Sequence, residues 1–132
     1  MVITSINGKT FKFHFSTVSQ NYLAQLQGVS YEEAYQNIFE TSIGIIQFLY
    51  TAAKAGARKE KEQFDYTFDD FCEVIDDIEG VDKFQQLFSD CVIEWKDANR
   101  FGEPLSKLID RANAIKGVSG SDEKKSLNTM TT

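Results

Sequence analysis

The sequence is poor in the residues that carry most catalytic and metal chemistry. It has one histidine, His14, and two cysteines, Cys72 and Cys91, among 132 residues. One histidine and two separated cysteines do not complete a zinc site, and two cysteines do not form the disulfide framework of a small secreted domain. No glycine-rich phosphate loop and no Gly-x-Ser-x-Gly motif occurs. We therefore expect no catalytic site, no metal site and no cofactor.

Basic clusters and long apolar runs are also missing. Acidic residues outnumber basic ones by 20 to 14, so the formal net charge is −6. Nucleic-acid binding requires clustered lysine and arginine, and the densest basic group, residues 54–61, is interleaved with glutamate. The longest apolar-rich stretch, residues 43–57, is too short to span a bilayer, and no signal-peptide pattern opens the chain. We expect a cytosolic protein that binds neither nucleic acid nor a membrane.

The acidic side chains between residues 69 and 79 do not have the spacing of a cation site. They are Asp69, Asp70, Glu73, Asp76, Asp77 and Glu79. Calcium loops place their ligands at alternating positions of an irregular segment with a turn glycine, whereas these residues fall on a predicted helix. They indicate a solvated helix face, and the earliest of them favour the positive end of the helix dipole.

The clearest local pattern that is present is an N-terminal β-hairpin. Asn7-Gly8 separates two alternating runs and favours a type I′ turn, because both central residues of that turn need a positive φ. The resulting register puts six side chains on one face: Val2, Thr4, Ile6, Phe11, Phe13 and Phe15. An isolated hairpin is marginal in water, so this face must pack on helices.

Capping residues predict the helices that follow. A short helix fits residues 17–27 and ends at Gly28. Ser30 and Glu33 form the sequence pattern of a capping box at the start of the next helix. Apolar residues at helical spacing then continue as far as Ala55-Gly56-Ala57, where we expect this helix to end.

Breaks and connectors complete the helical part. Thr41 and Gly44 are the two positions at which the long apolar segment could divide. A charged connector, residues 58–65, follows it. Thr67 with Asp70 then begins a capped helix, which we expect to close at Gly80.

The last third of the chain contributes two more predicted helices and a tail. They cover residues 81–99 and 105–116, with Pro104 suited to the first position of the second helix. Residues 117–132 are small and polar without periodicity, so we expect them to be disordered. The predicted fold is mainly α, in the α+β class: a single domain over residues 1–116, in which a β-hairpin packs on a bundle of about five helices.

Two motifs around the connector resemble a known family. Leu49, Tyr50, Ala52, Ala55 and Gly56 lie at the end of one predicted helix, and Tyr66, Thr67, Asp69 and Asp70 start the next. Together with the hairpin, this arrangement is similar to the tail assembly chaperones of long-tailed bacteriophages and prophages. In that family a similar helix end leads into a variable charged connector and then into an aromatic-Thr helix start. The resemblance covers residues 2–80.

The resemblance implies a non-enzymatic protein of the bacterial host cytoplasm that is not part of the mature virion. Such a protein binds the tape measure protein and keeps it soluble during assembly of the tail tube. The major tail tube protein is a further candidate partner, and self-association is compatible with this function. The alternative is a protein–protein adaptor or regulator encoded by a mobile genetic element. A small enzyme ranks third, because no nucleophile–base pair can be assembled from the sequence.

Large apolar residues near the connector are the candidate client-binding residues. They are Ile43, Phe48, Tyr50, Phe64, Tyr66 and Phe68. Their number exceeds what one core-facing stripe requires, which favours a groove that accepts an amphipathic client helix. Core packing is the alternative for each of them, since a central helix is also apolar around much of its circumference.

Overall fold

The N-terminal hairpin is present with the predicted turn and register. The computed structural model describes residues 1–98, and its first elements are β1 (Val2–Ile6) and β2 (Lys9–Phe13), which pair antiparallel. Asn7 and Gly8 have φ values of 51° and 81°, as a type I′ turn requires. Val2 lies opposite Phe13. The prediction of the hairpin is confirmed.

Five helices follow in the described residues. They are α1 (Thr17–Gln27), α2 (Tyr31–Asn37), α3 (Ser42–Lys59), α4 (Phe68–Asp76) and α5 (Val81–Ala98). The predicted fold class, a hairpin packed on about five helices, is confirmed. The predicted helix 105–116, the domain boundary at residue 116 and the predicted disorder of residues 117–132 lie outside the described residues.

The predicted helix starts and the first helix end agree with the structure. Gly28 ends α1 in the left-handed conformation, with a φ of 69°. Ser30 caps α2 by accepting a hydrogen bond from the backbone N–H of Glu33. The capping box of α4 is complete, because Thr67 and Asp70 each accept from the other's backbone N–H at 3.0 and 3.1 Å.

The long apolar segment divides at Thr41, one of the two predicted positions. The Thr41 hydroxyl accepts from the backbone N–H of Gly44 at 2.9 Å and caps α3. The predicted end of α4 is displaced, because this helix ends at Asp76 rather than at Gly80. The backbone N–H groups of Asp77 and Ile78 bond three residues back and tighten the last turn, which ends the helix early.

The prediction that Ala55-Gly56-Ala57 ends α3 is wrong, because Gly56 serves helix packing there. The helix continues to Lys59, and the connector therefore comprises residues 60–67. A β-carbon at Gly56 would overlap the carbonyl oxygen of Lys12, so the backbone of β2 lies directly against α3. One turn earlier, the backbone N–H of His14 donates to the Ala52 carbonyl at 3.0 Å.

Aromatic rings fill the space between the hairpin and the helices. Phe13 and Phe71 are fully buried, and their ring centroids lie 6.5 Å apart. Phe15 stacks on Phe48 at 5.0 Å on another side of α3. Cys91 is also fully buried, and burial raises the pKa of its thiol to about 12, so it packs as a neutral apolar group.

The contact at Gly56 can be tested by the sign of the change in the free energy of unfolding that Gly56→Ala causes. Helix propensity alone predicts that Gly56→Ala stabilises the protein by about 1 kcal/mol. The overlap with the Lys12 carbonyl predicts the opposite, a loss of about 1–3 kcal/mol in the free energy of unfolding. Urea denaturation measures the sign, and we expect faster hydrogen exchange of the His14 amide in this variant.

Gly28→Ala is the control for this substitution. No atom lies within 4 Å of the added carbon at Gly28, so its cost of about 1–2 kcal/mol comes from the left-handed conformation alone. We expect this variant to leave the exchange of the His14 amide unchanged relative to global unfolding. A Gly56→Ala protein that is more stable than the wild type would contradict the close packing of β2 on α3.

Candidate client-binding surface

Four of the six candidate client-binding residues form one aromatic cluster between α3, the connector and α4. They are Tyr50, Phe64, Tyr66 and Phe68. The ring of Tyr50 lies 5.6 Å from that of Phe64 and 5.5 Å from that of Phe68, and Phe64 lies 5.3 Å from Tyr66. Tyr50 is buried at 9% exposure, whereas the other three remain partly exposed. We call these four residues the connector cluster.

The connector cluster is held in place by contacts with the hairpin and by one hydrogen bond. The Tyr50 hydroxyl donates to the backbone carbonyl of Tyr66 at 2.8 Å. The ring of Tyr66 lies 5.3 Å from that of Phe11, and the Lys9 ammonium lies 5.6 Å from the centre of the Tyr66 ring. The partly exposed rings are therefore held in place rather than free to collapse inwards.

Phe48 is a core residue. It is 3% exposed and its ring lies 5.7 Å from that of Trp95 and 6.0 Å from that of Phe88, both on α5. Phe48 therefore packs in the core, which was the alternative to client binding. Almost none of its side chain is accessible to a client.

Ile43 differs from Phe48 in being 52% exposed. It lies in the first turn of α3, seven residues before Tyr50. Seven residues correspond to almost two full turns, so the two side chains lie on nearly the same side of α3, roughly 10 Å apart. Ile43 thus extends the surface of the connector cluster towards the start of the helix.

Phe39 is an exposed aromatic residue that the sequence pattern did not single out. It lies in the segment between α2 and α3 and is 52% exposed, with its ring 6.3 Å from Phe88 and 6.2 Å from Trp95. It was missed because it falls off the apolar stripe that contains Ile38. The sequence did contain a signal for its exposure. Phe39 is a bulky residue off that stripe, and it lies next to the predicted break at Thr41.

The charged part of the connector is tied to the hairpin. The Lys12 ammonium lies 2.8 Å from a carboxylate oxygen of Glu62 and 3.5 Å from one of Glu60. The hydrogen bond to Glu62 raises the pKa of Lys12. All three groups are solvated, so each pair adds little to stability. Their effect is to hold the start of the connector against the hairpin.

The end of α3 is a Schellman motif with an unusual residue at its turn. The backbone N–H of Glu62 bonds the Ala57 carbonyl at 2.9 Å, and that of Lys61 bonds the Arg58 carbonyl at 3.1 Å. Lys61 has a φ of 58° at the position where glycine is the common choice. The helix therefore ends without a glycine, one turn beyond Gly56.

Lysine-to-glycine substitutions two residues apart should have opposite effects at this helix end. Lys61→Gly relieves the left-handed strain and should raise the free energy of unfolding by about 0.5–1 kcal/mol. Lys59→Gly places glycine in the last helical position and should lower it by a similar amount, about 0.5–1 kcal/mol. Both values come from urea denaturation of otherwise identical proteins. Equal effects of the two substitutions would contradict the Schellman assignment.

His14, directly after β2, is the histidine of the chain. His14 is half-buried, and burial together with the charge of Lys59 lowers the pKa of its imidazole, which favours the neutral ring. Within residues 1–98, no three His, Cys, Asp or Glu side chains are grouped so as to hold a metal ion. In the same part of the chain, every helix falls short of the length and apolar content that crossing a bilayer demands.

Comparison with family models, with curated proteins and with solved structures gave no match to this chain.

Proposed function

We propose that the chain is a tail assembly chaperone of a long-tailed phage or prophage, which binds the tape measure protein and keeps it soluble while the tail tube assembles. The starting point is the resemblance of residues 49–56 and 66–70 to that family. The protein acts in the cytoplasm of the bacterial host and leaves before the virion is complete. It needs no catalytic group for this function.

One observation carries the proposal: large apolar side chains stay exposed at Ile43 on α3 and in the connector cluster next to that helix. Ile43 is half exposed, and the rings of Phe64, Tyr66 and Phe68 pack against the core while staying partly accessible. Rigidly held aromatic and aliphatic side chains are the usual anchors of a helix-in-groove interface. The connector that carries Phe64 and Tyr66 also carries the solvated Glu60 and Glu62, which add charge to this part of the chain.

The family-like residues have a structural part in this proposal. Ala52 and Gly56 allow β2 to approach α3, and Thr67 with Asp70 starts α4. They fix the two helices on either side of the connector cluster. Client contacts then fall to Ile43 and to the exposed edges of the cluster, which tolerate variation in client sequence because apolar contacts are not directional.

The test is co-expression with the tape measure protein encoded in the same gene cluster. We expect the client to be soluble with this chain and to aggregate without it. Ile43→Ser should weaken binding roughly fivefold, because loss of a half-exposed isoleucine removes about 1 kcal/mol of apolar contact. Calorimetric titration with a soluble client fragment measures this change.

Ile93→Ser is the matched control. Ile93 is 58% exposed on α5 and belongs to neither the connector cluster nor α3. We expect this variant to bind the client as the wild type does. A client that is equally soluble without the chain would contradict the proposed function, and equal losses from the two serine variants would contradict the proposed surface.

A further inference from the structure

A groove runs along the outer edge of β1, between this strand and the region of α4 and α5. Its volume is about 460 Å³. Ile6, Ile78 and Leu87 give it an apolar lining. At the hairpin turn, the side-chain amide of Asn7 donates to the carboxylate of Asp77 at 3.4 Å and joins the two walls.

The pairing of the hairpin shows which backbone groups face this groove. On β2, the N–H of His14 and the carbonyl of Lys12 point away from β1 and onto α3. Residues directly opposite each other in an antiparallel pair point their backbone groups either both inwards or both outwards. Ile3 is opposite Lys12 and Ser5 is opposite Thr10, so the N–H and C=O groups of Ile3 and Ser5 point outwards from β1.

These four backbone groups have the arrangement of an open strand edge. The two residues lie roughly 6.8 Å apart along the strand, which is the repeat of an antiparallel ladder. Within residues 1–98, neither Ile3 nor Ser5 uses its backbone for a hydrogen bond outside the hairpin. The opposite edge of the hairpin is closed, because α3 covers it at Gly56.

The charge of the groove selects among occupants. Of the described residues, Asp77, Glu79 and Asp90 line it, and Lys83 is the basic residue among their side chains. The Lys83 ammonium lies 3.8 Å from Glu79, so that pair is largely neutralised and two carboxylates remain. A second copy paired through β1 would bring the sequence VITSI, which has no basic residue to match them.

We propose that the β1 edge is a β-augmentation site for an extended, basic segment of a partner protein. The segment adds a third strand to the sheet through the backbone groups of Ile3 and Ser5. One set of its alternate residues is apolar and faces Ile78 and Leu87, and the net negative charge of the lining, which includes Asp77 and Asp90, favours lysine or arginine at its other positions. A helix cannot occupy this site in the same way, since its backbone groups are already paired. The inference does not depend on the proposed chaperone function.

Amide chemical shifts of the full-length, ¹⁵N-labelled protein provide the test. The probe is a blocked peptide of sequence TVKVKVT, which is about two residues longer than β1. We expect it to shift the amides of Ile3 and Ser5 and those of residues 78–90. A TVEVEVT peptide should bind roughly three- to tenfold more weakly, because its glutamates meet the acidic lining. The same lysine peptide with alternate N-methyl groups should not bind.

Two substitutions with matched controls locate the site. Ser5→Pro removes an N–H that faces the groove and should abolish binding, whereas Thr10→Pro makes the same change on the opposite edge of the hairpin and should not. Asp90→Lys should weaken binding of the lysine peptide roughly three- to tenfold. Asp97→Lys, on the exposed part of α5 outside the groove, should have no effect. If a proline variant does not fold, the comparison of Asp90→Lys with Asp97→Lys still tests the proposal.

Three results would overturn the proposal. The first is a lysine peptide that leaves the Ile3 and Ser5 amides unshifted, and the second is equal binding of the lysine and glutamate peptides. The third is a concentration-dependent dimer of the free protein that Ser5→Pro dissociates, since the occupant of the β1 edge would then be a second copy.

Discussion

The approach of one strand backbone to one helix backbone is the contact on which the rest of the structure depends. At Gly56 no side chain separates β2 from α3, and at Ala52 the helix carbonyl accepts a hydrogen bond from His14 in addition to its place in the helix. This contact fixes the height and direction of the hairpin. The phenylalanine face of the hairpin is then directed into the space between α3, α4 and α5, where Phe13 and Phe71 are fully buried.

Because of the same contact, the two edges of the hairpin have different surroundings, and so do the different sides of α3. One strand edge is closed by a helix, and the other borders a groove with an acidic lining. On α3, Phe48 faces the aromatic residues of α5, while Tyr50 supports the connector cluster beside α4. Both candidate binding regions are consequences of where the hairpin sits, although they offer different chemistry: apolar rings in one case and backbone hydrogen-bonding groups in the other.

Local signals in the sequence were sufficient for most of the elements. Asn7-Gly8 specifies its turn through backbone conformation alone, and the start of α4 is set by two side chains, Thr67 and Asp70, that bond within one turn. Gly56 misled the prediction because a glycine near a helix end resembles a cap. Glycine is required at this position because the carbonyl of Lys12, in a strand more than forty residues earlier, lies against it. The local sequence gives no sign of that contact. Lys61, conversely, has a left-handed backbone conformation that is typical of glycine and that could not be predicted from a lysine.

The candidate sites were less predictable than the fold, because exposure depends on tertiary packing. Phe48 and Ile43 are both large apolar residues of α3, and only their neighbours in space make one a core residue and the other half exposed. The groove along β1 could not be inferred from the sequence at all. Its existence requires both the position of α5 and the closure of the other edge of the hairpin by α3.

The contact at Gly56 also sets an order of events during synthesis. The last residue of the hairpin is Phe13, but the helix that covers it ends at Lys59, 46 residues later. At roughly 5–20 residues per second, the ribosome needs several seconds to make that interval. Throughout it, Phe11, Phe13 and the outer edge of β2 are without their final partners. For this chain, the emergence of α3 is therefore the moment at which the risk of misassembly falls.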